Sequence, residues 1–190
     1  TSTSVESTYI GYYAGRNNLS NYNTAIGAEA MITYGDKTAE RNVAVGNAAL
    51  KVIQTGDRNT AVGHKSLNQN TEGSHNTAVG YNVLTSTTGN SNTGVGTTAL
   101  TDNTTGAYNV ALGMNVLRSS TTSHYNTSIG NNSLQDAKRT ADTDGYNTAL
   151  GANAGNTGTN DIITGNKNTL LGANTAASDE AGTNLSLIHI

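Results

Sequence analysis

The side chains that could act as acids, bases or metal ligands are few, and they form no recognisable catalytic pattern. A glycosidase needs two carboxylates that face each other across the scissile bond. The acidic residues instead lie mostly in predicted turns, and none falls on strand positions of neighbouring repeats: Asp36, Glu40, Asp57, Glu72, Asp102, Asp136, Asp142, Asp144 and Asp161. Asp142 and Asp144 share one insertion and could form a carboxylate pair or a weak cation site, but an exposed loop explains them more simply.

Nucleophilic and cofactor chemistry also lack a motif. The four histidines, His64, His75, His124 and His189, occupy unrelated places, and nothing suggests a Ser-His-Asp arrangement. The chain has no cysteine, which excludes disulfides, thiol catalysis and Cys-type zinc sites. Phosphate-loop, dinucleotide and calcium-nonapeptide glycine motifs are absent. We therefore predict no enzymatic activity, no cofactor and no metal site.

Composition and charge exclude two further classes of partner. The formal net charge of the 190 residues is −3 and no basic run occurs, so we expect no nucleic-acid partner. No apolar stretch approaches the length of a membrane span. The apolar fraction is only 34%, without Phe, Trp or Pro, which is typical of disorder. The regular spacing of the apolar residues indicates a repeat protein instead.

The dominant feature is a five-residue motif, Asn-Thr/Val-Ala-Val/Ile/Leu-Gly, which occurs in ten copies counting a degenerate one at residues 7–11. The motif asparagines are Asn23, Asn42, Asn59, Asn76, Asn92, Asn109, Asn126, Asn147 and Asn168. The glycines that close these copies are Gly27, Gly46, Gly63, Gly80, Gly96, Gly113, Gly130, Gly151 and Gly172. Successive motif glycines are 16 to 21 residues apart, most often 17. Each copy therefore predicts one rung of a stacked coil.

The motif positions predict how each rung is built. The apolar residue before each glycine suits a buried stacking position, and the Thr or Val two residues earlier shares its strand face. The intervening Ala would pack on the opposite face, and the glycine would turn the chain with positive φ. A second apolar column, four residues after the glycine, predicts a second short β segment: Met31, Leu50, Leu67, Leu84, Leu100, Leu117 and Leu134. The predicted fold is an all-β, parallel β-solenoid or β-roll of about ten rungs.

The motif asparagines suggest how the rungs adhere to one another. Their side-chain amides can bond to the asparagines above and below in a ladder, although Asn also suits a plain turn. Ten rungs give a rod of roughly 45–50 Å. The interior of such a rod is thin, so stability must come from stacking and from association with other chains. Exposed Leu or Ala columns are the predicted contact surfaces.

The two ends of the chain read differently from the repeat. The sequence begins without Met, which suggests a fragment of a longer protein. Residues 185–190, Leu-Ser-Leu-Ile-His-Ile, resemble read-through of a sequencing adaptor; a short apolar strand is the alternative. The predicted domain is a single β-solenoid repeat domain over residues 1–184.

The nine-residue pattern Asn-Thr-Ala-Val-Gly-x-x-Ala-Leu resembles the head repeats of trimeric autotransporter adhesins. Those Asn-Ser-Val-Ala-Ile-Gly rungs form a left-handed parallel β-roll in a trimer, with a period shorter than 17. The pattern is even more similar to repeat regions of phage tail fibres, above all over residues 147–174. The resemblance covers nearly all of residues 7–176. It implies an extracellular trimer, on a virion tail fibre or a bacterial cell surface, that attaches to a cell-surface glycan or protein receptor.

One surface column is a candidate for that attachment. We call it the pre-Asn column, because it contains the residue before each motif asparagine: Tyr22, Arg41, Arg58, His75, Ser91, Tyr108, Tyr125, Tyr146 and Lys167. If the rungs stack in register, these side chains form a line, and Tyr with Arg or His is a mixture that binds sugars. They could equally shield the strand edge and supply solubility. The insertions at residues 33–40, 135–145 and 156–167 are recognition loops or neutral decoration.

Two other functions compete with an attachment fibre. An ice-binding solenoid would use a rank of motif threonines: Thr24, Thr60, Thr77, Thr93, Thr127, Thr148 and Thr169. Val43 and Val110 interrupt this row of threonines. The threonines are also predicted to share the strand face that points to the core, which disfavours ice binding. A polysaccharide depolymerase would need clustered carboxylates, which the sequence does not contain.

Overall fold

Each copy of the motif forms one short strand, and the strands stack side by side in chain order. The computed structural model describes residues 6–33, 38–137, 145–156, 165–175 and 186–188. The described residues contain one sheet of eleven strands in sequential order. The strands are β1 (Thr8–Ile10), β2 (Thr24–Ile26), β3 (Val43–Val45), β4 (Thr60–Val62), β5 (Thr77–Tyr81), β6 (Thr93–Thr97), β7 (Val110–Leu112), β8 (Thr127–Ile129), β9 (Thr148–Leu150), β10 (Thr169–Leu171) and β11 (Ser186–Ile188).

All neighbouring strands are parallel, and equivalent motif positions lie opposite one another. Between β2 and β3, for example, Ala25 pairs with Ala44 and Ile26 with Val45. The ten motif strands enclose about nine turns with a spacing of about 17 residues, and the described residues contain no helix. The chain is therefore a parallel β-solenoid, as the repeat predicts.

The faces of the strands are the reverse of the predicted ones. The central Ala of the motif points inward and has no exposed surface in β2 to β5, whereas the flanking Thr and Val or Ile point outward. The prediction that Thr and the residue before Gly form the core is wrong. The physical reason is the narrow interior, because Ala leaves room for the opposite wall where a β-branched residue would not.

The opposite wall is the second apolar column, here the leucine column. All seven of its side chains, from Met31 to Leu134, are fully buried. They lie in turns, not in a second β segment, and their φ angles are between +47° and +52°. The predicted second strand in each rung is therefore wrong. So is the prediction that exposed Leu or Ala columns join the chains, since both columns are inside.

In two places a core residue that is larger than its equivalents in other rungs packs against a glycine. In the first rung, Tyr9 replaces the central Ala and Gly15 replaces the leucine, and a side chain at Gly15 would collide with the Tyr9 ring. In β6 Gly94 replaces Ala, and an added Cβ would lie 2.6 Å from Cγ1 of Val83. At these two places a glycine makes room for a larger neighbour, as close packing of the core requires.

The last described strand lies in the segment that the sequence sets apart. In β11, Ser186 pairs with Thr169 and Ile188 with Leu171, in the same parallel register as the motif strands. This is the geometry of the short apolar strand considered as an alternative. An origin of residues 185–190 in an adaptor stays a prediction.

Candidate binding surface

A ladder of buried motif asparagines holds the backbone in place next to the pre-Asn column. The backbone N–H of each motif asparagine from Asn42 onward donates to Oδ1 of the asparagine one rung earlier, at 2.8–3.1 Å. The side-chain amide also donates to a turn carbonyl, as Asn92 Nδ2 does to Gly106 O at 2.8 Å. In the first rung Ser7 takes the place of Asn, and its Oγ accepts the Asn23 N–H at 3.0 Å. The predicted ladder is present.

The motif glycines close the other end of each strand. Their φ angles are between +119° and +141°, in the left-handed region that favours Gly. A Cβ added to Gly27 would lie 2.6 Å from the carbonyl oxygen of Gly46 in the next rung. Rungs this close leave no space for a side chain, which explains why every copy has Gly here.

The pre-Asn column occupies a backbone position that disfavours its own residues. All nine members have φ between +47° and +61°. This conformation costs an ordinary residue roughly 1–2 kcal/mol, and Gly or Asn adopts it most readily. No member is Gly or Asn, whereas Asn holds several left-handed positions two residues after the motif glycine, among them Asn115, Asn132 and Asn153. Backbone preference therefore does not explain the Tyr, Arg and His of this column.

The structure brings the candidate residues of the column together in three groups. The rings of Tyr108, Tyr125 and Tyr146 stack in sequence, with centroids 4.9 Å apart and planes within 4° of parallel. The Arg41 guanidinium lies 5.2 Å from the centroid of the Tyr22 ring. The third group is Arg58 and His75, in neighbouring rungs.

In that third group, Arg58 Nη1 and His75 Nε2 are 3.5 Å apart. Ser91 separates this pair from the tyrosine stack. The side chains thus form a line at the rung spacing of about 4.8 Å.

Stacking limits what the tyrosines can offer to a ligand. Tyr125 has a ring on both faces and is 42% exposed, so it presents only its edge and hydroxyl. Tyr108 is 52% exposed, and among the described residues its only ring contact is Tyr125. One face of Tyr108, on the side of Ser91, is thus the open aromatic face at this end of the stack.

The charge of the column is positive. It contains Arg and Lys but no carboxylate. The Arg41 guanidinium pairs with Glu40 at 3.0 Å. No carboxylate of the described residues lies within ion-pairing distance of Arg58. The neighbouring Asp57 Oδ1 accepts the Glu40 N–H at 2.7 Å. The Arg58 guanidinium is therefore available to an anion.

A second surface, which we call the sheet face, follows from the reversed parity. It consists of the two outward positions of each motif strand, and all are Thr or aliphatic. They are Thr8, Thr24, Val43, Thr60, Thr77, Thr93, Val110, Thr127, Thr148, Thr169, Ile10, Ile26, Val45, Val62, Val79, Val95, Leu112, Ile129, Leu150 and Leu171. None is buried, and Leu150 and Leu171 remain over 40% exposed. Sequence reasoning missed this face because it assigned these residues to the core.

Two smaller surface features lie beyond the glycines. A second ladder joins Asn115, Asn132, Asn153 and Asn174 through their side-chain amides at 3.0–3.2 Å. In the first rung, Tyr12 and Tyr13 lie in ring contact at 4.0 Å. The side-chain hydrogen bond with Tyr13 and a loss of hydration raise the pKa of the Tyr12 phenol.

The described part of the chain contains no cluster of three or more potential metal ligands and no helix long and apolar enough to cross a bilayer. Several sequence candidates lie outside the described residues. They are Asp36, Asp142, Asp144, Asp161, His189 and the central parts of the three insertions. No family model, curated protein or solved structure matches the chain.

Proposed function

We propose that the chain is a segment of a homotrimeric attachment fibre, in which the sheet faces of three chains pack together. The observation that carries this proposal is the sheet face itself, an uncharged strip that runs the length of the stack. With ten rungs about 4.8 Å apart and strands about 10 Å long, the strip measures roughly 450 Å². This is within the range of about 300–600 Å² that the largest exposed apolar patch of a soluble protein covers, and such patches are often functional.

The regularity of the strip supports self-association over a foreign partner. Each copy of the chain offers the same columns at the same spacing, so side chains can interdigitate along the whole length. Closed cyclic symmetry then covers the strip on every chain. Three-fold closure is the arrangement that the resemblance of the motif implies.

The proposed role is attachment to a cell surface. In such a rod the sheet faces point to the axis, while the pre-Asn column remains outside and is available to a glycan or protein receptor. We favour a phage tail fibre because the motif is most similar to tail-fibre repeats. The head of a bacterial trimeric autotransporter adhesin is the alternative. Either role would place the protein outside cells, and neither requires catalysis.

A charge on the sheet face tests this assembly. We expect Val79→Lys to convert the trimer to monomers, because three ammonium groups would be buried near the axis. The circular dichroism of the variant should stay unchanged, since Val79 lies outside the core. The matched control is Gln69→Lys, which adds the same charge to an exposed turn. A Val79→Lys protein that sediments like the parent protein would refute packing through this face.

Ice binding is a second candidate, favoured by one specific observation. The motif threonines point outward on the sheet face, so the parity argument against an ice-binding rank is wrong. Their hydroxyl and methyl groups repeat at about 4.8 Å. A trimer would cover this rank, so the two functions exclude each other. A monomeric protein with thermal hysteresis that Thr93→Lys abolishes would establish ice binding.

A further inference from the structure

We propose that the gap over Ser91 in the pre-Asn column binds a sugar ring that carries a carboxylate, as in an acidic surface polysaccharide. This inference rests on the proposed attachment function and names the chemical class of the receptor. The gap lies between the open face of Tyr108 and the pair formed by Arg58 and His75.

The gap has the size of one ring. His75 and Tyr108 are two rungs apart, or roughly 9.6 Å at the rung spacing. In the next rungs, a tyrosine ring fills each step of 4.9 Å. Ser91 between them ends at a hydroxyl, so the place that a ring occupies elsewhere in the column is free for a ligand.

The backbone at the gap continues the pattern of its neighbours. Ser91 has φ +57° and its N–H donates to Ser74 O at 2.9 Å. The Tyr108 N–H donates to Asn90 O at 3.0 Å in the same way. Only the side chain differs, so the gap is a fixed feature of a regular rod. A ligand would therefore meet a preorganised site, which lowers the entropic cost of binding.

The residues around the gap select the ligand. The face of Tyr108 can pack against the C–H groups of a sugar ring, as amphipathic aromatic faces do. The Ser91 hydroxyl offers a hydrogen-bond donor and acceptor to ring hydroxyls. The Arg58 guanidinium has no carboxylate partner among the described residues, so it can bind a ligand carboxylate with two parallel hydrogen bonds. A neutral aromatic side chain of a protein partner would use the Tyr108 face but would leave this cation without a partner.

The test is calorimetric titration of the 190-residue chain with tetragalacturonate, using neutral galactotetraose for comparison. We expect the parent protein to bind the acidic tetramer at least tenfold more tightly than the neutral one. Ser91→Tyr should reduce the affinity for the acidic tetramer at least tenfold, because the new ring completes the tyrosine stack and fills the gap. Arg58→Gln should reduce it about fivefold and leave the neutral tetramer unaffected.

The matched control is Lys167→Tyr. It also adds a ring to the column, but about 19 Å from the gap and beyond the screening length at physiological salt, and it should bind like the parent. A Ser91→Tyr protein with unchanged affinity would overturn the proposed site. Tighter binding of a neutral aromatic peptide than of the acidic tetramer would overturn the ligand class. An intact trimer that binds neither sugar would refute the gap as a receptor site while the fibre proposal stood.

Discussion

At the scale of single residues, the motif asparagine makes several hydrogen bonds that join one rung to the next. Asn109 is fully buried, its N–H donates to Asn92 Oδ1 at 3.0 Å, and its Nδ2 donates to Ser123 O at 2.8 Å. Its Oδ1 in turn accepts the N–H of Asn126 at 3.0 Å. Removing the side chain would leave buried backbone groups in two rungs without partners, and such groups are costly.

We expect Asn109→Ala to lower the free energy of unfolding by roughly 3 kcal/mol, from two or three lost buried hydrogen bonds. The comparison is Asn68→Ala, whose Nδ2 donates to Ala48 O at 2.9 Å from a half-buried position where water can replace the lost bond and whose φ is not positive. That variant should lose no more than about 1 kcal/mol. Urea denaturation followed by circular dichroism measures both. Equal losses would contradict a special role for the buried ladder.

At the scale of the strand, the asparagine also decides which residues face inward. Side chains alternate along a strand, so a buried Asn puts the next residue outside and the central Ala inside. The observed burial of the predicted Asn ladder is therefore incompatible with the predicted burial of Thr. Hydrophobicity favoured Val over Ala for the core, but the narrow interior favours Ala. The Asn and Gly columns could be predicted because both residues recur almost unchanged, Asn in nine of the ten copies and Gly in all ten.

The remaining features depend on neighbouring rungs and could not be predicted from one motif. The leucines suggest a strand, yet they adopt a left-handed turn that costs an isolated residue roughly 1–2 kcal/mol. Stacking of buried side chains offsets that cost. The line of pre-Asn residues was predictable from register alone. The covered faces of Tyr125 and the open face of Tyr108 depend on side-chain rotamers, which the sequence does not reveal.

Two substitutions in β5 test the observed parity. We expect Ala78→Leu to destabilise the fold by roughly 2–3 kcal/mol, because the larger side chain would overpack the interior against the leucine column. The adjacent Thr77→Leu lies on the sheet face and should change the stability by less than about 1 kcal/mol. Thermal unfolding at low protein concentration gives both values. A larger loss of stability in Thr77→Leu than in Ala78→Leu would support the inward and outward faces predicted from the sequence.

At the scale of the whole molecule, the rod is a one-dimensional array. Each strand pairs only with the strands before and after it in the chain. Stability is then close to a sum of terms for rungs and for their interfaces, as in other repeat proteins. Removal of one complete rung joins two equivalent positions and preserves every column.

We therefore expect deletion of residues 64–80, which is one rung of 17 residues, to give a folded rod. Its melting midpoint should stay within about 5 °C of the parent, since only one of several similar interfaces is lost. Deletion of residues 64–71 removes about half a rung and should prevent folding of the rungs around the deletion. The motif asparagine after the deletion would lie opposite a turn and not opposite the asparagine of the preceding rung. Circular dichroism melts distinguish the two. Equal stability of both deletions would contradict in-register stacking.

The most direct test of the fibre proposal is the solution mass of the 190-residue chain, measured by sedimentation equilibrium over a range of concentrations. We predict three chain masses, with the sheet faces buried about a common axis. A folded protein of one chain mass at all concentrations would contradict the proposal, because the sheet face would then be exposed in solution.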